Sequence, residues 1–145
     1  MAGEITGAKH SNLTCKPKID TTDTEAVWRE RIVDGGYPVK FDAATTTADE
    51  IGVTFLAQND AVALGRLIGS TGSGTDFRVT VETEGAYGYF QGGGTAAFTT
   101  AELGKRAKAD ANHKLVVDTS LTAGNLFVVG GDKAEPAIKW QGEVA

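Results

Sequence analysis

The chain has 145 residues, 41% of them hydrophobic and 23% charged, with a formal net charge of −5. That length fits one domain able to bury about 68–70% of its unfolded surface, and the composition is globular rather than disordered. No run approaches the ~20 apolar residues of a membrane-spanning helix, and the acidic balance argues against a nucleic-acid binder, which needs clustered Lys and Arg to displace counterions.

The opening stretch "MAGEITGAKH" has no apolar h-region and no Gly after Met, so neither a secretory signal nor myristoylation is expected. Without an export signal, the "NLT" sequon at Asn12 reads as accidental. "SNLTCKPKIDTTDT" alternates weakly, and we expect residues 1–36 to form an N-terminal arm or edge segment beside a β domain over 37–145. Within it, "DTEAVWRERIV" (23–33) reads either as a helix capped by Asp23 or Thr24, or as extended chain entering the "DGG" turn at 34–36.

Seven short runs then read as strands: "YPVKF" (37–41), "AVALGRLIG" (61–69), "FRVTVET" (77–83), "AYGYF" (86–90), "KLVVD" (114–118), "LFVVG" (126–130) and "AIKWQGEV" (137–144). Each is rich in β-branched or aromatic residues and bounded by turn formers. In the third, Phe77, Val79, Val81 and Thr83 share one face, while Arg78, Thr80, Glu82 and Glu84 share the other. A single helical turn is also expected in "TTAELGKRA" (99–107), capped by Thr99 or Thr100 and ended by Gly104. The fold expected is mainly β: a small β-sandwich or barrel-like domain of short antiparallel strands with one or two short helices and an extended N-terminal arm.

The charge is unevenly placed. Residues 41–100 hold two basic groups (Arg66, Arg78) against seven acidic ones, whereas 1–40 and 101–145 each balance six against six. A basic partner would suit the middle of the chain, and a solvated acidic face is the plainer reading. The single cysteine, Cys15, excludes an internal disulfide and a Cys-based zinc site, leaving His10 and His113 as the only imidazoles. We read Cys15 as a buried, inert thiol.

"GSTGSGTDF" (69–77) looks like an antibody light-chain framework turn, and Trp28 follows Cys15 at a compatible spacing. An immunoglobulin domain needs a second cysteine, which the chain lacks. The stretch reads as a hairpin loop in which Gly and Ser supply positive φ. Neither it nor "GGG" (92–94) leads into a helix beginning Lys-Ser or Lys-Thr, so a phosphate loop is not expected. No Gly-x-Ser-x-Gly elbow appears, and His113 in "DANHKLVVD" reads as a solvated turn tip. Glu82 and Glu84 read as surface charge on a strand, and "DTTDTE" (20–25) lacks the Gly and final Glu of a calcium loop. We expect no catalytic residue, cofactor or metal. Tyr87, Tyr89 and Phe90 do not all fit one core from one strand, which makes exposed aromatics the better functional lead.

From about residue 41 onward, the layout resembles the head-decoration (capsid-cement) proteins of tailed bacteriophages. The segments that carry the resemblance are "VALGRLIGSTGSGTDFRVTVETEGAYGYF", "TTAELGKRAKADANHKLVVD" and "LFVVGGDKAEPAIKWQGEVA", about two-thirds of the chain. The resemblance is one of strand and glycine texture, with no catalytic motif to transfer. It implies a virion protein, made in the host bacterial cytoplasm, that binds the major capsid protein on the outside of the expanded shell as a dimer or trimer. It implies neither nucleic-acid nor membrane binding. On that reading Ile5, Leu13, Ile19, Trp28, Tyr87 and Tyr89 are expected to supply capsid or inter-subunit contacts, and removing residues 1–25 should abolish docking while leaving a folded domain. A tail or head-completion protein and a protein- or carbohydrate-binding β-sandwich module are the alternative classes.

Overall fold

The alternation in "FRVTVET" becomes the start of the longest strand. The computed structural model describes residues 11–144. Its elements are β1 (Ser11–Pro17), α1 (Glu25–Asp34), β2 (Tyr37–Phe41), β3 (Gly52–Phe55), β4 (Gly65–Thr71), β5 (Arg78–Tyr89), β6 (Ala107–Ala109), β7 (Leu115–Val117), β8 (Leu126–Gly131) and β9 (Pro136–Gln141). The protein is mainly β. Seven strands form one sheet in the order β1-β3-β2-β4-β5-β9-β8, and a further pairing of β1 with β5 closes the first five into a barrel. All these pairings are antiparallel except β1 with β3, which runs parallel. β6 and β7 form a separate hairpin.

Two apolar clusters follow from this layout. The barrel strands bury Cys15, Val39, Val53, Phe55, Leu67, Val79 and Val81, and α1 adds Trp28. The sheet extension and the β6–β7 hairpin bury Phe90, Leu115, Leu126, Val128, Ile138 and Trp140. β5 serves both: its first half pairs with β4 and β1, its second half with β9, and the register shifts between Gly85 and Gly88. "FRVTVET" and "AYGYF" are therefore one bulged strand, and the bulge bends it from one cluster to the other.

The N-terminal expectation needs correcting. β1 is hydrogen-bonded between β3 and β5, with Leu13 opposite Val81 and Cys15 opposite Val79. Residues 11–36 thus belong to the β domain, and the boundary expected after residue 36 separates no packing unit. Removing residues 1–25 would strip a closing strand and open the barrel edge, so it would not leave a folded domain. Of the two readings of 23–33, the helix is the one formed, as α1 with Thr24 as its cap. Thr24 Oγ1 accepts from the Val27 amide at 3.3 Å, Glu25 pairs with Arg29 four residues on, and Gly35 at φ 82° ends it. At 99–107 the expected single turn forms: Thr99 binds Glu102, Gly104 at φ 81° ends the turn, and the chain then enters β6, with the Gly104 amide donating to Val128 O at 2.7 Å. The "GSTGSGTDF" stretch does link two strands, through a 3-10 turn at Gly74–Asp76.

Candidate contact surface

Gly88 sits between two tyrosines, and its missing side chain organises the site. A Cβ there would lie 3.0 Å from the Arg66 guanidinium carbon and 3.1 Å from the Trp140 ring, closer than side-chain carbons pack. With glycine, Arg66 can extend beneath the strand. Its Nε and Nη2 donate to Glu82 Oε1 at 3.1 and 2.9 Å, and its Nη1 donates to Tyr89 O at 3.0 Å. The guanidinium also lies 5.9 Å from the ring centroids of both Phe90 and Trp140, within cation–π range.

The tyrosines face out from this base. Tyr87 is 53% exposed and Tyr89 50%, and their rings meet edge to face at 5.8 Å. Phe90 turns inward and meets Trp140 edge to face at 5.1 Å. The expectation that these three aromatics cannot share one core is met. Glu82 departs from the expected outward face. It is buried and bound to Arg66, because Arg66 on the neighbouring strand β4 lies against it. Glu84 is half-buried beside the Ser11 hydroxyl.

The other residues expected to make contacts scatter. Trp28 is fully buried, stacked on Phe55 at 4.0 Å, with Nε1 donating to Lys18 O at 3.0 Å. It is a core residue, unavailable to a partner. Its large ring and the indole N–H fit a buried site with one carbonyl in reach. Leu13 and Ile19 are 37% and 49% exposed, and Ile19 lines a separate groove of about 660 Å³ with Lys16, Lys18, Glu25 and Phe77. Ile5 lies outside the described residues, as does His10.

The remaining chemistry is structural. Cys15 is buried, and burial followed by the nearby Glu50 charge pushes its thiol up to about 11. His113, expected at a solvated tip, is half-buried: its Nδ1 is 2.7 Å from Leu56 O and its ring 5.7 Å from that of Phe55. Of the seven acidic groups of residues 41–100, three are ion-paired: Glu50 with Arg78, Asp60 with Lys40 and Glu82 with Arg66. Among the described residues, no three His, Cys, Asp or Glu side chains gather as a metal site, and no helix is long and apolar enough to cross a membrane.

Sequence reading missed the base of this site. The Arg66–Glu82 pair joins residues on different strands and leaves no local pattern. The signal that was available is "YGY": a glycine inside a strand marks close approach by a neighbour. The chain matches no family model, no curated protein and no solved structure.

Proposed function

We propose that the protein is a structural virion component that binds the outside of an assembled phage capsid and stabilises it, without catalysis. The observation that carries this reading is the Tyr87–Tyr89 pair, held half-exposed on β5 over the part-buried Arg66–Glu82 ion pair. Tyrosines fixed in this way lose little conformational entropy on docking and act as interface anchors. The resemblance of residues 41–145 to capsid-cement proteins supports the same class. The partner is the major capsid protein, the protein sits on the virion surface as a dimer or trimer, and Leu13, Ile19 and Ile5 add contacts of their own. Binding only the assembled shell stabilises it by mass action, and repetition over the lattice multiplies weak contacts.

Co-sedimentation with expanded capsids lacking the protein tests this, with unexpanded shells as control. Saturable binding to expanded shells alone is expected. Tyr87→Ala/Tyr89→Ala should weaken it at least ~30-fold, corresponding to loss of about 2 kcal/mol, with an unchanged circular dichroism spectrum. No binding by the wild-type chain would overturn the reading in favour of a tail component or a free binding module, which virion copy number and a glycan screen separate.

A further inference from the structure

Outside the barrel, the described strand edges are claimed by neighbouring segments. The Ala109 amide of β6 donates to Asp60 O at 2.8 Å, the Leu115 amide of β7 to Gln91 O at 2.9 Å, and the Val128 amide of β8 to Lys105 O at 2.9 Å. The first half of β1 differs. Alternate residues of a strand aim their backbone groups to opposite sides. The Lys16 and Lys18 amides donate to Ile51 O and Val53 O at 2.9 and 2.8 Å, so the even-numbered residues of β1 face the β3 side. The odd-numbered ones face β5, where Leu13 stands opposite Val81 and Cys15 opposite Val79. Pairing with β3 begins only at Lys16. Asn12 and Thr14 therefore aim their N–H and C=O groups past the start of β3, and no described segment pairs with them on that side. Ser11 to Thr14 are all exposed.

The edge itself indicates what covers it. Proteins keep bare edges apart with Lys, Pro or other charged residues. "SNLT" (11–14) has none of these, and Lys16 and Pro17 come where β3 already pairs. The outward groups are also self-complementary. A two-fold axis through Leu13 sets Asn12 against Thr14 of a second copy, and the two exchange both N–H···O bonds. Leu13 then faces Leu13 of the second copy in the close, non-hydrogen-bonded position. This side chain is 37% exposed, so the axis carries an apolar cross-strand pair and brings no like charges together. We propose that the outer edge of β1 pairs antiparallel with the same edge of a second copy, centred on Leu13, to form a two-fold dimer. The inference follows from the backbone of β1 and does not rest on the capsid reading.

Sedimentation equilibrium on the full chain, from ~10 µM to ~1 mM, should show monomer and dimer with a Kd on the order of 100 µM, as suits a short interface. Across such a pair, directly opposed Cα atoms lie ~4.5 Å apart, within disulfide reach. Leu13→Cys should therefore give a disulfide-linked dimer under mild oxidation. Thr14→Cys should not, because it stands opposite Asn12 of the second copy; the native Cys15 is buried. Thr14→Pro removes an outward amide and no hydrogen bond to β5, so it should weaken association at least tenfold at an unchanged thermal midpoint. If that variant fails to fold, the two cysteine variants decide. A wild-type chain that stays monomeric at ~1 mM, a trimer, cross-linking that does not favour Leu13→Cys over Thr14→Cys, or undiminished association of folded Thr14→Pro would overturn the dimer. None of these readouts involves capsids, so the dimer and the capsid reading fail separately.

Discussion

Replacing Trp28 by alanine separates a core role from a contact role. The side chain is fully buried, and its ring stacks on Phe55 at 4.0 Å with an interplanar angle of 29°. A buried Trp removes ~200 Å² from water, which at ~25 cal/mol per Å² gives about 5 kcal/mol as an upper bound. The indole hydrogen bond adds little, because its acceptor belongs to Lys18, an exposed residue whose carbonyl can take water instead. Large-to-small aromatic changes cost ~3–5 kcal/mol, so about 4 kcal/mol is expected for Trp28→Ala. A chain of this length holds roughly 7–20 kcal/mol in total, so the variant folds with a narrow margin. In urea, with a slope of ~2 kcal/mol per molar, the midpoint should fall by about 2 M. Trp28→Phe keeps a ring against Phe55 and should lose only about 1–2 kcal/mol. A midpoint shift below ~0.5 M for Trp28→Ala would refute the packing argument and return Trp28 to the surface.

Asn125 is buried, with Oδ1 accepting from the Ala63 amide at 2.9 Å and Nδ2 donating to Ala63 O and Gln141 O at 2.7 and 2.8 Å. Asn125→Ala strands these groups at about 1–3 kcal/mol, and calorimetry should show the melting temperature falling by ~4–10 °C; a fall under ~2 °C would mean that the amide is replaceable. Acid should destabilise the fold. Asp118 is lowered to about 2 by the Ser120 hydroxyl and then Lys108, while Glu50 is lowered by Arg78 and Glu102 by the Thr99 amide. Each pKa is lower folded than unfolded, so the unfolded chain binds more protons in acid, and this stability is present above the ordinary carboxylate range and lost toward pH 2. Urea midpoints should drop steadily from pH 5 to 2, and less for Asp118→Asn below pH 4; a flat profile in the wild-type protein would contradict the assignment.

Where a local pattern fixes structure, the residues announced it. Val79 and Val81 enter the barrel core as the alternation requires, and Thr24 with Gly35 bounds the helix by capping chemistry. Strand β3 escaped notice because "GVTF" is four residues long, too short to show a period, and is held by β1 and β2 from other parts of the chain. β1 was legible only as an arm or edge segment, for a related reason. Its alternation is weak because only Cys15 and Pro17 are buried, and its place is set by pairing with β5 about 70 residues away. Barrel closure is a long-range property, and loop-closure entropy is not written in any short window.

The contact surface divides along the same line. Exposed tyrosines were legible because three aromatics within four residues exceed what one face of a strand can bury. Their support was not. Burial of Glu82 depends on Arg66 arriving from β4, and Arg66 reaches Tyr89 O only because Gly88 carries no side chain. The same logic applies at Gly92–Gly94, where Lys133 O, the Asp110 carboxylate and the Lys133 side chain in turn fill the spaces that three Cβ atoms would need. A strand glycine and a glycine run read from sequence as weak points or turns; in this fold both mark where another segment packs against the backbone. At Gly88 that packing locates a preorganised surface, the tyrosine face.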